Sequence, residues 1–272
     1  MDNPIVFYPI MWLLYLRGEV TTFFMQTINI TVPQGWHELS QKQLRYLFFL
    51  VSEGYSSTAI KTLCLFRWSG LRVISRKQGQ FYLRLNKTEF FVTALQIAEA
   101  VTSLAWTDRF PQMPVRFERI GRHRALRADF QGVPFETFIV CENLYQGFLH
   151  TQNEELLSQM ATHLYASKRV RPDKVQRIAI FYWFASLKDY LSRSFPNFLQ
   201  PSGRSTRQNM LGGTSSIGRM LQESMNAQIR ALTKGDITKE KEVLHLDTWR
   251  ALTELDALAK EAEEFNRKYS ER

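Results

Sequence analysis

The chain has 272 residues, of which 44% are hydrophobic and 22% charged, and its 35 lysines and arginines against 26 acidic residues give a net charge of +9. These ordinary globular values exclude wholesale disorder and collagen-like or low-complexity classes, and the length suits one large domain or two small ones. The two cysteines, Cys64 and Cys141, form no CxxC, which excludes a disulfide scaffold and fits a reducing compartment.

Residues 3–16 are uncharged and largely apolar. That run is shorter than the roughly 20 residues that span a bilayer. It follows Asp2 rather than Lys or Arg and contains Pro4 and Pro9, so no membrane anchor is expected. Residues 1–24 read as an apolar N-terminal extension. After Met25, the alternation of Ile28, Ile30 and Val32 predicts a strand. Leu44, Leu47, Phe48 and Val51 predict a helix from about Ser40 that Gly54 stops. A second helix is expected over 57–68, then a β-hairpin in which 71–76 and 80–85 flank Lys77-Gln-Gly79. A helix over 93–106 follows, and Pro111, Pro114 and Gly121 make 115–130 extended and loop-like. Helices are expected at 135–150 and 154–167. A longer one at 173–194, apolar over a wide arc, reads as the central core helix.

Residues 200–213 are rich in Gly, Ser and Pro and lack periodicity, which marks a linker. Beyond it, 216–233 and 246–269 are amphipathic helices. The second carries Trp249, Leu252, Leu255, Ala259, Ala262 and Phe265 on one face. From Thr214 onward there are 10 basic and 11 acidic residues, against 25 and 15 before it, so the positive field belongs to the body. The expected fold is therefore mainly α within the α+β class. A helical body over 25–199 with a small β-hairpin region is joined by the 200–213 linker to a C-terminal helical pair over 214–272.

Catalytic signatures are missing from the sequence. His37, His123, His150, His163 and His245 have no partners at zinc-like spacing, so no metal and no cofactor is expected. The glycine run 211–218 lacks the GK[ST] ending of a P-loop, and there is no GxSxG. Cys141 and the run Phe181-Tyr-Trp-Phe184 read as core. The positive signal is electrostatic. Arg116, Arg119, Arg122, Arg124 and Arg127 fall within twelve residues with His123, and Lys168, Arg169, Arg171, Lys174 and Arg177 form a second cluster. Guanidinium groups pair bidentately with phosphate, which makes the first cluster a candidate anion site. Pairing with nearby acids is the alternative.

The tail segment Arg230-Ala-Leu-Thr-Lys-Gly-Asp-Ile-Thr-Lys-Glu-Lys-Glu-Val-Leu244, followed by Asp247-Thr-Trp-Arg-Ala-Leu-Thr-Glu-Leu-Asp256, resembles the ending of a family of uncharacterised proteins from Bacteroidetes phages and prophages, encoded near tail structural genes. Leu44-Arg-Tyr, Phe66-Arg-Trp-Ser-Gly70 and Phe117-Glu-Arg-Ile-Gly-Arg122 are similar to the same set. The resemblance covers most of the chain after Met25 and supplies no catalytic residues. It implies a non-enzymatic role in virion morphogenesis, as a tail-assembly chaperone or minor tail component. Such a protein would work in the bacterial cytoplasm during assembly or stay in the virion. Phage tail or other structural proteins, or a second copy of the chain, would then dock on Trp249, Leu252, Leu255 and Phe265. The alternative is a nucleic-acid-binding accessory protein that uses the arginine clusters.

Overall fold

The computed structural model describes residues 5–7, 28–199 and 214–270. The chain forms two compact units, Met1–Pro111 and Gln112–Arg272. The linker expected at 200–213 lies outside the described residues, as does most of the apolar N-terminal segment.

In the first unit, β1 (Ile5–Phe7) pairs antiparallel with β2 (Ile28–Ile30). Helix α1 (Gln41–Ser52) begins with a capping box. The Ser40 hydroxyl accepts from the Gln43 amide, while the Gln43 side chain reaches back to the Ser40 amide. Helix α2 (Ser57–Ser69) starts on Ser56 and stops at Gly70, where φ is +79° and glycine is unstrained. The expected hairpin forms as β3 (Arg72–Lys77) and β4 (Gln80–Leu85). A strand not anticipated from the sequence, β5 (Thr88–Thr93), completes an antiparallel sheet in the order β3-β4-β5.

Helix α3 (Ala94–Thr102) is shorter than expected, and Ala105–Asp108 tightens into a 3-10 turn. The reason is tryptophan packing. Trp106 lies edge-on to Trp36 at 5.5 Å and stacks on Trp68 at 6.3 Å, and its indole N–H donates to the Pro33 carbonyl at 3.2 Å. Those contacts outweigh one more turn of regular helix. Leu44, Leu47, Phe48, Cys64, Leu65, Leu83, Phe90 and Val92 fill the core of this unit.

The second unit opens with a two-residue hairpin, β6 (Arg119–Ile120) and β7 (His123–Arg124), inside the stretch expected to be loop-like. Seven helices follow among the described residues: α4 (Phe135–Thr151), α5 (Glu154–Leu164), α6 (Lys174–Ser194), the short α7 (Pro196–Leu199), α8 (Thr214–Thr233), α9 (Glu240–His245) and α10 (Thr248–Ser270). As the wide apolar arc predicts, α6 is the central helix, with Ile180, Trp183, Phe184, Leu187 and Leu191 at 1% exposure or less. Phe130 enters the same core with φ at +61°, a left-handed conformation costly for a bulky residue. It is fully buried, with ring contacts to Phe138, Trp183 and Phe184 at 6.3–6.4 Å that hold it there.

Two expectations need correction. The division between the two compact units falls at Pro111/Gln112, a boundary the sequence reading did not mark. The C-terminal helices are also not a free docking pair. Ala251 and Leu252 are fully buried and Leu255 is 3% exposed, in one hydrophobic cluster with α4, α5 and α6. Trp249 is half-buried, packs on Tyr190 and Phe195, and donates its indole N–H to the Asp129 carbonyl at 2.6 Å. Polar contacts fix the attachment. The Thr248 amide and hydroxyl both donate to the Val133 carbonyl, at 2.9 and 2.7 Å, and the Phe135 amide donates to the Leu246 carbonyl at 2.8 Å. Asp256 accepts from the Phe198 amide at 2.9 Å and from the Asn197 side chain at 2.7 Å. Only the distal part of the expected face is exposed, with Phe265 at 59%. A two-helix segment buries too little surface by itself, and the nearest unfinished core is that of the preceding helices.

Leu252→Ala is expected to destabilise the protein by about 2–5 kcal/mol. Urea unfolding followed by helical circular dichroism measures this, and an unchanged midpoint would place Leu252 outside the core.

Candidate nucleic-acid interface

The hairpin is built by a short alternation. Ile120 is 4% exposed and anchors in the core of the second unit, and its cross-strand partner is His123. Arg119 and Arg124, the other cross-strand pair, therefore project from the opposite face and stand directly across from each other. Gly121, at φ +58°, takes the first central position of the turn, where a positive φ is needed, and Arg122 occupies its tip. Like charges directly opposed on adjacent strands are destabilising. Arg119, Arg122 and Arg124 are exposed and form no ion pair among the described residues.

The five arginines of the sequence cluster thus divide. Arg116 turns inward. Its Nε donates to the Leu126 carbonyl at 2.6 Å and its guanidinium lies 5.7 Å over the Trp183 ring, and burial pushes its pKa down. Arg127 grips Asp129 through two hydrogen bonds, at 3.1 and 2.9 Å, and also donates to Gln131. Removing these two from the anion site is a correction. A chain pattern shows that arginines are near one another but not which of them the core or a carboxylate has already engaged.

Of the three hydrogen bonds at the base of the hairpin, the first joins its two arms and the other two seat it on the end of α5. The Ala125 amide donates to the Glu118 carbonyl at 2.9 Å, the Leu126 amide to the Leu164 carbonyl at 2.8 Å, and the Tyr165 hydroxyl to the Phe117 carbonyl at 2.9 Å. The arms of the hairpin are therefore bonded to the end of α5, a few residues before Lys168 and Arg169. These two are exposed and without an ion pair among the described residues. The rest of the second cluster is engaged. Arg171 donates to the Lys168 and Val170 carbonyls, both at 2.9 Å, and Arg177 pairs with Glu154 at 2.9 Å. The sequence reading kept the two clusters separate. The Leu126–Leu164 bond that links them is a backbone contact with no side-chain signature.

Catalytic arrangements are weak by comparison. Cys64 and Cys141 are fully buried, and burial raises both thiols, that of Cys64 to about 12, so neither is ionised near neutrality. Ser57 and Lys61 both donate to Asp108, at 2.5 and 2.6 Å. Lys61 first, then Ser57, holds that carboxyl below the usual range, which makes it a poor base. Among the described residues, no three His, Cys, Asp or Glu side chains are grouped to hold a metal ion. No described helix is long and apolar enough to cross a membrane.

Two predictions follow from this geometry. Arg124→Glu places an acid opposite Arg119 and is expected to stabilise the fold by about 0.2–1 kcal/mol while weakening anion binding; a lower melting temperature would contradict the opposed pair. The second concerns Asp129. Burial pushes its carboxyl up, but Arg127 and the Gln131 amide more than offset that, and the net pKa is lowered. A carboxyl lowered in the folded state contributes stability in full above its unfolded value of about 3.9 and loses it as pH falls through the folded value. Asp129→Asn should therefore lower stability at pH 7 and flatten the loss below pH about 4, as urea titrations across that range would show.

Compared with protein-family models, with curated proteins and with solved structures, the chain matches none of them.

Proposed function

We propose that this chain is a non-enzymatic accessory protein that binds nucleic acid through the β6–β7 hairpin, in the phage or prophage setting that the resemblance implies. The observation that carries the reading is the set Arg119, Arg122 and Arg124, without an ion pair among the described residues, on a hairpin whose other face buries Ile120 in the core. The register sets two arginines directly across from each other, which carries an electrostatic cost that a row of phosphates removes. Phosphates along nucleic acid are closely and regularly spaced and suit several arginines on one edge. Lys168 and Arg169 extend the positive surface beyond the end of α5. No base-reading helix is required, so the contact is to backbone and is blind to sequence.

Tail assembly, the role that the resemblance implies, keeps the gene setting as its support. Leu252 and Leu255 are enclosed in this chain's own core, and a tail partner has to use another surface.

The test is binding of labelled duplex DNA, measured by fluorescence anisotropy over a salt series. With three phosphate contacts removed, Arg119→Gln, Arg122→Gln and Arg124→Gln together should reduce the slope of log K against log salt by about 3. A variant that binds with the wild-type slope and affinity, or a wild type that does not bind at low salt, would overturn the reading.

A further inference from the structure

The β3-β4-β5 sheet of the first unit has two faces of different character. Leu83, Phe90 and Val92 are buried on the core face. The other face is set out in three cross-strand rows by the strand register. Ser75, Tyr82 and Phe91 form the middle row. Arg72, Arg84 and Glu89 form the row on one side, and Lys77, Gln80 and Thr93 the row on the other. The Tyr82 and Phe91 rings are half-buried and stacked on each other, with centroids 4.6 Å apart and planes at 28°. The Tyr82 hydroxyl donates to Glu89, and Glu89 accepts from Arg84 Nε at 2.7 Å, so the tyrosine ring is tethered. Each ring uses one face on the other. The register neighbour on the far side of Tyr82 is the small Ser75. On the far side of Phe91, no further strand is bonded to β5 among the described residues.

The charge around the two rings is one-sided. Arg72, Lys77, Arg84 and Lys87 are all exposed, and residues 72–88 contain no acid; Arg76 stands on the other face, with its guanidinium 5.2 Å over the Phe81 ring. Glu89 is engaged by Arg84 and Tyr82. Arg72, which stands opposite Arg84, forms no ion pair among the described residues, nor do Lys77 and Lys87. A cross-strand aromatic pair that served only the sheet would need no such surround.

We propose that this open sheet face is a stacking platform for single-stranded nucleic acid. Tyr82 and Phe91 take unpaired bases on their outer ring faces. The arginine and lysine rows, about 7 Å to either side of the aromatic row, take the flanking phosphates. An aromatic face between cations suits a single strand because its bases are free to leave one another. In a duplex the base faces are already stacked, and only phosphates remain to be contacted. The platform lies in a different unit from the hairpin and uses a different contact, so it goes beyond the proposed function and does not rest on it.

The experiment compares labelled oligo(dT) of about 12 nucleotides with a duplex of the same length, using the full chain in fluorescence anisotropy. Tyr82→Leu with Phe91→Leu should weaken oligo(dT) binding by about tenfold for each ring and leave duplex binding unchanged. The Arg119, Arg122 and Arg124 glutamine variant should lose duplex binding and retain most oligo(dT) binding. Wild-type affinity for oligo(dT) in the leucine variant overturns the platform, and wild-type duplex binding in the glutamine variant overturns the hairpin reading alone. A second measurement is independent of how the leucine variant folds. Wild-type protein is photo-crosslinked to a 5-iodouracil oligonucleotide and the adducts are mapped by mass spectrometry. Adducts at Tyr82 or Phe91 are expected, and adducts confined to other residues, or none, overturn the proposal.

Discussion

The second unit depends on the junction where the start of α10 meets the loop of residues 129–134. Thr248 gives two hydrogen bonds to the Val133 carbonyl, Trp249 gives one to Asp129, and the Leu246 carbonyl accepts from Phe135. Each satisfies a backbone group that burial would otherwise leave unpaired, at a cost of about 1–3 kcal/mol. Once the junction is closed, Ala251, Leu252 and Leu255 have no direction to face but the core of α4 to α6. The same loop carries Phe130 in its left-handed conformation and Asp129 in its clasp with Arg127. Tertiary contacts hold a backbone there that local preference would reject.

That rigidity reaches the surface. The hairpin of Arg119 and Arg124 is bonded to the end of α5 at Leu164 and Tyr165, and Arg116 is held against Trp183 beneath it. The arginines that remain exposed stand on a backbone edge that these contacts already order. The first unit presents cations in another way. Its sheet turns an aromatic pair outward and frames it with Arg72, Arg84 and Lys77. In both places like charges oppose each other across strands, Arg119 with Arg124 and Arg72 with Arg84. Glu89 pairs with Arg84 from the third strand, whereas Arg119 and Arg124 form no ion pair among the described residues.

Most of the elements were legible from local patterns in the chain. The apolar spacing of α1 and its start at Ser40 are local, since a helix start is chosen within a few residues. The Lys77-Gln-Gly79 turn is equally local, and so is the wide apolar arc of α6. β5 and the hairpin at 119–124 were not legible. The pairing that defines the first needs β4 beside it, and the second is too short for periodicity to register.

Which faces are covered, and by what, was set by packing between distant segments. The stripe of Trp249, Leu252 and Leu255 reads the same whether a partner or the chain itself covers it, because an amphipathic helix records the need for cover and not its source. The cluster of five arginines likewise gives no sign that Arg116 is spent on Leu126 and Trp183 or Arg127 on Asp129. Those engagements depend on carbonyls, rings and carboxylates that the fold brings near. Burial and pairing are properties of neighbours in space, and for α10 and Val133 those neighbours lie more than a hundred residues apart in the chain.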